Sequence, residues 1–437
     1  MRRSRVIAHI AAVVVLTTTA AGFANGEANS GDGRLTFEEA AREAVRWHPA
    51  VAEATGVLGA RGEDVAVARA GYLPQITAGL GSGYDSRVST TWRPRPELGA
   101  SQMLFDFGKV SSAVASARAG TRVGREELLQ TIDQLIRDTG AAVIENQRAA
   151  ALKVVAEEQR DSVAEIGTLV SERAKLGAAT RSDALQAQGR VDAAVAYLER
   201  TEIAQRRWAS NLAYLIGRDR PPGAIDSDVP DWLMRACARP MPDWPDVPAV
   251  AAADARVEQA EADLRGRRAD RLPTIAVGAD ASTDVAQPLG SSSIYSLGLR
   301  LTGNVFGGNV SRARVRGANY TLAAARAAAL RARNDSAQQL AEAQSQIVSL
   351  TSIIATLATR EGSMRETSRL YRLQYLEMGT RTLVDLLNAE QELYQVRLDA
   401  INTIHDLRRL ELDCMYLTGY ARAALGLSGT SLRGVTL

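Results

Sequence analysis

Two stretches of the chain set a threonine three residues before an aspartate. They are Thr180 and Asp183 in LGAATRSDALQAQ (176–188), and Thr382 and Asp385 in GTRTLVDLLNAEQELY (379–394). A hydroxyl and a carboxylate at that spacing suit a reciprocal cap, in which each accepts a free N–H at the start of a helix. Gly177 and Gly379 come just before and suit the positive-φ residue that ends the preceding helix. Thr180, Asp183 and Thr382 are therefore expected as helix caps, worth about 1 kcal/mol each. Bond-making chemistry is not indicated. Beyond the N-terminal segment the histidines are His48 and His405, in different helical regions and without metal-ligand spacing. There is no Gly-x-Ser-x-Gly elbow, Walker loop or Cys-x-x-Cys pair. The acids fall on solvated helix faces, where ion pairs are the ordinary outcome. No catalysis, metal or cofactor is expected.

Elements that could hold these caps are legible in a repeat. RAGYLPQI (69–76) parallels RADRLPTI (268–275), Val110-Ser111 parallels Val310-Ser311, and AYLIG (213–217) parallels MYLTG (415–419), at offsets of 199 to 202. Ordered anchors at a near-constant offset indicate a duplicated unit. Each half reads as a helix (50–72 and 249–271) stopped before Leu-Pro, two strands, a very long helix, a glycine break and a shorter helix. The strands are expected at 75–86 with 95–106, and at 274–285 with 293–306, joined by the exposed loops DSRVSTTWRPR and DVAQPLGSSS. In the last strand Tyr295, Leu297, Leu299, Leu301 and Val305 alternate with Ser296, Arg300, Thr302 and Asn304. Such a period of two suits a membrane strand with its apolar side toward lipid, and equally a half-buried soluble hairpin.

The expected domain order is a signal peptide (1–24), a first repeat (25–217), a Pro-rich linker (218–248), a second repeat (249–419) and a flexible tail (420–437). Arg2, Arg3 and Arg5, the apolar IAHIAAVVVL and a small-residue site ending at Ala24 make up the secretory pattern. Cleavage there lowers the basic count from 52 to 49 against 50 acids, which gives no argument for a nucleic-acid partner. Aromatic residues are only 5% of the chain, and alanine and arginine dominate, a balance that favours long helices over a compact enzyme core. Leu386, Leu393, Ala400, Leu407 and Cys414 recur every seven residues, with Ala389, Val396, Thr403, Leu410 and Leu417 three later, as in a coiled-coil seam. Leu387, Tyr394, Leu398 and Ile401 form a second line, so this helix needs neighbours on two sides.

At about 1.5 Å per residue the long runs, 108–175 and 309–377, reach roughly 100 Å, and the returning helices, 180–216 and 382–418, about 55 Å. The shortfall is made up at mid-height, with 249–271 expected above 180–216 and 50–72 above 382–418. Four strands cannot close a barrel, and open edges in lipid would leave backbone groups unpaired at several kcal/mol each. Membrane strands would then need several copies of the chain, and three would supply twelve. Cys237 and Cys414 are the only cysteines, and their spacing leaves open whether they pair.

The order of parts resembles the TolC-like outer-membrane efflux and secretion channels. The resemblance rests on LTFEEAAREAVRWHPAV (35–51), GYLP (71–74), QMLFDFGKV (102–110) and the two phrases quoted at the outset, and it covers nearly all of the chain after the signal. It implies an α+β membrane protein: long antiparallel helical hairpins forming an α-barrel, plus four strands per protomer in a shared twelve-strand trimeric β-barrel. The implied partners are two further copies of the chain, outer-membrane lipid, a periplasmic adaptor and an inner-membrane transporter of ABC or RND type. The location is the outer membrane of a Gram-negative bacterium, with a large periplasmic portion. QMLFDFGKV is most similar to type I secretion members; small-molecule efflux and, further off, a soluble periplasmic adaptor are the alternatives. At the hairpin matching 379–394 the family narrows its aperture with carboxylates and an arginine. Arg381 and Asp385 occupy matching positions, while Asn388 stands where the family has a second acid, so the ring carries fewer charges. Leu176, Gly177, Met378 and Gly379 match the tip residues that meet the adaptor.

Overall fold

A computed structural model describes residues 34–85, 89–239, 243–283, 293–303 and 308–436. In chain order the main elements are α1 (Phe37–Trp47), α2 (Pro49–Ala70), β1 (Gln75–Asp85), β2 (Ser89–Phe105), α3 (Lys109–Lys175), α4 (Arg181–Ile216), α5 (Pro248–Ala269), β3 (Thr274–Ser282), β4 (Ile294–Thr302), α6 (Val310–Leu373) and α7 (Leu383–Leu417). The series helix, strand, strand, long helix, shorter helix thus occurs twice. Each strand-to-helix passage needs a sharp elbow. In the first, Asp106 accepts the N–H groups of Gly108 (2.9 Å) and Val110 (2.6 Å).

The four strands form one antiparallel sheet in the order β1-β2-β3-β4, so the outer edges of β1 and β4 have no partner strand within the described residues. The register places Ile275, Val277, Ala279 and Ala281 opposite Leu301, Leu299, Leu297 and Tyr295. Ala78 lies opposite Leu98, and Leu98 opposite Ala281, so all four strands contribute to one apolar face. No described residue covers it, and Leu297 and Leu299 are 80% and 75% exposed. The opposite face holds Thr77, Gly99, Asp280, Ser296 and Arg300, with Asp280 accepting from Ser296 (3.2 Å) and Arg300 (3.3 Å). Val305 lies outside the described residues, as does most of the expected loop DVAQPLGSSS. The other expected loop is shorter than anticipated. Ser89–Arg95 continues β2 beside β1, with a shift of register between Gly83 and Asp85, because Thr90, Thr91 and Trp92 favour extended backbone and β2 has a single neighbour beyond Glu97, where proline is tolerated.

The helices pack around α3, which contacts α2 and α4 on one side and α5 and α7 on the other; α6 packs against α5 and α7. Tyr394 and Leu398 on the second apolar line of α7 join Val155 of α3 in a small core. At mid-height the stacking differs from the sequence-based expectation. Helix α2 continues α4, where Gly217 (φ 75°) ends α4 so close to the Trp47 indole that a Cβ would lie 2.1 Å from the ring. Helix α5 continues α7, where a Cβ on Gly419 (φ 68°) would lie 2.2 Å from the Asp246 carbonyl. The segment between α4 and α5 therefore crosses α3 instead of turning straight up. It is fastened on the way by the Leu35–Ile225 bridge, by Gln147 donating to the Asp226 carbonyl (2.6 Å) and by the Cys237–Cys414 disulfide.

This crossing creates an added layer on one side of α3. Phe37, Ala40, Ala44 and Val45 of α1, with Leu233 and Ala236 of the crossing segment, bury Ile132, Ile136 and Ile144 of α3. The tail after α7, expected to be flexible, is part of the same core. It forms a short helix α8 (Ala421–Ala424) and the hairpin β5 (Ser431–Leu432) and β6 (Val435–Thr436). Ala421 and Leu425 are buried, and Leu427, Leu432 and Val435 pack beside them. Arg422 adds a bond to the buried Asp133 (Nε to Oδ1, 3.0 Å). Burial pushes the Asp133 carboxyl up to about 7, against the pull of Arg422. Apolar side chains at short spacing, with too little length to form a long element, gave this tail its loose appearance in the sequence.

Candidate functional site: the helical hairpin tips

Both tips are built by the same local chemistry. Helix α3 ends at Gly177 (φ 78°), where the Ala178 N–H returns to the Arg173 carbonyl at 2.8 Å. Thr180 Oγ1 then accepts the Asp183 N–H (3.1 Å), and Asp183 Oδ2 accepts the Thr180 N–H (3.0 Å). At the second tip Gly379 has φ 62°. Thr382 Oγ1 accepts the Asp385 N–H (3.2 Å), and Asp385 Oδ2 accepts both the N–H (3.3 Å) and the hydroxyl (2.9 Å) of Thr382. Both carboxyls are held below the usual aspartate range, Asp183 chiefly by the Thr180 backbone N–H and Asp385 chiefly by the Thr382 hydroxyl.

Arg381 and Asp385 are close in sequence but form no ion pair with each other among the described residues. Arg381 lies over the Tyr371 ring, 4.5 Å from its centre, and donates to Gln374 Oε1 at 3.2 Å. Asn388 is exposed, and its Oδ1 accepts from Arg190 of α4 at 3.5 Å. Leu176 and Met378 stand out from the tips, 85% and 60% exposed, with no covering residue. The arrangement therefore offers an apolar prominence beside each positive-φ glycine, and an exposed cation at Arg381 held by Tyr371 and Gln374.

Three features of the site were not anticipated from sequence. First, α6 does not run to its expected end as an α-helix: Gln374–Met378 is a π-helical turn. Arg173 of the neighbouring tip donates to the carbonyls of Tyr375 (3.4 Å) and Leu376 (3.1 Å) in that turn and lies over the Tyr375 ring. Second, a core of Ile166, Val170, Ala187, Tyr375, Leu383, Leu386 and Leu387 joins the two hairpins directly behind the caps. Third, Glu390 of α7 is buried with only 6% exposed, yet it is ionic in its surroundings. It accepts from Ser368 of α6 (2.6 Å) and Ser162 of α3 (3.1 Å), while Arg372 bridges Ser162 (2.9 Å) and Glu165 (2.9 Å). The only local signal was an acid one residue past the small Ala389 on an otherwise apolar helix face.

Removing this carboxylate strands the buried Ser368 hydroxyl and weakens the hold on Ser162 and Arg372, at about 1–3 kcal/mol for a buried group left unsatisfied. Glu390→Ala is expected to raise amide hydrogen exchange over 160–175 and 366–390 by at least about tenfold, with the mid-height core unchanged. Equal exchange at the tips in both proteins would show that the node contributes nothing to their order.

The two histidines among the described residues serve the fold. His48 Nδ1 accepts the Ala50 N–H at 3.2 Å as the cap of α2. His405 donates from Nδ1 to the Ile401 carbonyl (2.8 Å), and burial pushes its pKa down to about 4, so it stays neutral. Among the described residues no helix is long and apolar enough to cross a membrane.

Comparison with known proteins agrees with this architecture. Residues 40–218 and 246–412 match the family described as outer membrane efflux protein. The chain is 24% identical over 361 residues to the outer membrane efflux protein BepC of Brucella suis biovar 1, covering 79% of this chain and 76% of that one. It is 26% identical over 319 residues to protein CyaE of Bordetella pertussis, covering 65% of this chain and 63% of that one. The crystal structure of the outer membrane protein VceC from Vibrio cholerae has a similar fold, with TM-score 0.77 at 16% identity over 88% of this chain and 96% of that one.

Proposed function

This chain belongs to the outer membrane efflux protein family, and from that premise we propose that three copies join their sheets edge to edge into a twelve-strand barrel in the outer membrane. It is an outer-membrane channel protein and not an enzyme. The observation that carries the trimer reading is the four-stranded sheet with one bare apolar face and two unpaired edges. In water that face is an aggregation hazard, and in lipid its edges demand partners. Below the barrel the hairpins would line a tunnel through the periplasm, with the tips docking a periplasmic adaptor and, through it, an inner-membrane transporter of ABC or RND type.

At the docking end Leu176, Gly177, Met378 and Gly379 supply the contact, since all four are exposed at the turns of the tips. Arg381, Asp385 and Asn388 form the aperture, with Arg381 as its main charge because Asp385 is engaged in its cap and Asn388 is neutral. The cargo assigned is protein, by type I secretion, on the similarity of QMLFDFGKV. Small-molecule efflux is the second reading, favoured by the likeness to a relative that is named an efflux protein. Crosslinking at Met378→Cys followed by isolation of the attached transporter separates the two: an ABC exporter supports secretion, and an RND pump supports efflux.

The aperture role makes its own prediction. Arg381→Ala combined with Asp385→Ala is expected to raise single-channel conductance in planar bilayers severalfold. Asp183→Ala removes the same kind of cap from the other tip and should leave conductance unchanged. If the double variant conducts like the wild type, these residues are caps only.

A further inference from the structure

Just below the sheet, the pattern of charge on α5 and α6 changes. Further down, several cations have acids: Arg333 pairs with Asp254 (2.8 Å), Arg326 with Glu261 (2.7 Å), and Arg122 of α3 with Glu258. Glu258, Glu261, Arg265 and Arg268 follow one another at spacings of three and four, so they form one stripe of α5. Arg312 and Arg316 are four residues apart on one side of α6, and the Glu261–Arg326 pair ties α6 to α5 further down. The Asp254–Arg333 and Glu261–Arg326 pairs set the antiparallel register of the two helices, so Arg265, Arg268, Arg316 and Arg312 follow one another upward over roughly 15 Å of the helix pair, beside the cluster of Leu264, Val315 and Ala318. All four are exposed, and none makes an ion pair or a side-chain hydrogen bond among the described residues.

The position of this group is informative. Leu272 follows α5 by three residues and is exposed, and Leu73, Tyr72, Phe105 and Phe107 are exposed at the other junctions between helix and strand. Apolar and aromatic side chains at such a level mark a membrane–water boundary. On α3 the stripe of Arg122 leads down through Leu129 to Ile136, the side that carries the added layer of α1 and the crossing segment. That layer would fill the tunnel if it lay inside, so the four arginines face outward.

We propose that Arg265, Arg268, Arg312 and Arg316 form a phosphate-binding collar that holds anionic phospholipid headgroups of the leaflet facing the periplasm. The inference rests on the barrel reading above. Guanidinium groups suit it because they bind phosphate oxygens with two parallel N–H donors. A basic cluster directly beside a membrane-embedded segment gains about 1 kcal/mol per charge from an anionic surface, or about fivefold in binding for each. Three protomers would carry the same collar around the barrel.

The test uses the full mature protein in nanodiscs of equal phosphatidylglycerol and phosphatidylethanolamine, with the lipids retained after mild detergent release counted by native mass spectrometry. The wild type is expected to retain phosphatidylglycerol over phosphatidylethanolamine by at least about tenfold. Arg265→Gln, Arg268→Gln, Arg312→Gln and Arg316→Gln together should abolish the preference, and four Lys replacements should keep most of it. Arg200→Gln with Arg206→Gln, far down α4, should change nothing. If the fourfold variant does not assemble, Arg312→Gln with Arg316→Gln serves, with an expected loss of at least about fivefold. Wild-type oligomers that conduct but show no lipid preference, or variants with the wild-type preference, overturn the collar alone. Absence of any oligomer or conductance in the wild type overturns the barrel reading instead.

Discussion

Leu299→Arg abolishes the SDS-resistant oligomer, while Arg300→Gln leaves it intact: this is the largest difference the sheet geometry leads us to expect from neighbouring residues. Leu299 lies mid-strand on the bare apolar face, opposite Val277 and between Leu297 and Leu301. An arginine on the lipid face of a barrel costs about 2–4 kcal/mol at the bilayer midplane. Assembly would meet that cost once per protomer, so roughly 6–12 kcal/mol opposes a trimer. Arg300 points to the other face and pairs with the exposed Asp280 at 3.3 Å. An exposed pair of this kind contributes only about 0–1 kcal/mol. Glutamine is the right replacement there, because a glutamate would set a second carboxylate beside Asp280. The measurement is semi-native gel electrophoresis of membrane extracts, with outer-membrane fractionation alongside. Equal loss of oligomer in both variants would mean that the two faces have been assigned wrongly.

Loss of the Cys237–Cys414 disulfide should be the second large effect. It links residues 177 apart, with Cα atoms 5.1 Å from each other, and it fastens the crossing segment to the end of α7. Closing so long a loop is worth roughly 5 kcal/mol in the chain-entropy view, and native disulfides typically contribute 2–5 kcal/mol. The bond does not act alone. The Cys237 N–H donates to the buried Glu411 at 2.8 Å, and Gln344 of α6 donates to the Cys237 carbonyl at 3.0 Å. Without the crosslink these polar contacts would have to hold the segment in place. Cys237→Ala with Cys414→Ala, or reduction of the wild type, should therefore lower the melting temperature of the detergent-solubilised protein by several degrees. Protection of 225–245 against protease should fall first. A melting curve and protease pattern identical to the oxidised protein would show that packing suffices there.

The two predictions differ in how far sequence could have led to them. The alternation in Tyr295, Leu297, Leu299 and Leu301 is a local pattern, and a strand's two faces follow from its pleat whatever its neighbours are. The caps at Thr180–Asp183 and Thr382–Asp385 are equally local, since all their bonds close within four residues. The lengths of α3, α4, α6 and α7 followed from where glycine and proline interrupt the 3.6-residue period. The order of parts along the chain was enough to bring out the family resemblance. Each of these is dictated by interactions short in sequence, where residue type and spacing determine the geometry.

Other features depend on which distant surfaces meet. A connecting segment of some thirty residues reaches either stack with ease, so nothing in its length says that α2 continues α4 and α5 continues α7. That was decided by the fit of Gly217 against Trp47 and of Gly419 against Asp246, and by the core the segment buries as it crosses α3. The ordering of the tail, the disulfide, and the carboxylate of Glu390 held by three helices have the same character. Their partners lie from 22 to nearly 300 residues away in sequence, and only packing brings them together. Sequence by itself determined the long helices, the four strands, their order and the caps at the tips, because those arise from contacts within a few residues. The tertiary structure alone decided how the stacks are joined and what locks them at mid-height and at the tips, because that choice is made by complementary surfaces with no sequence period in common.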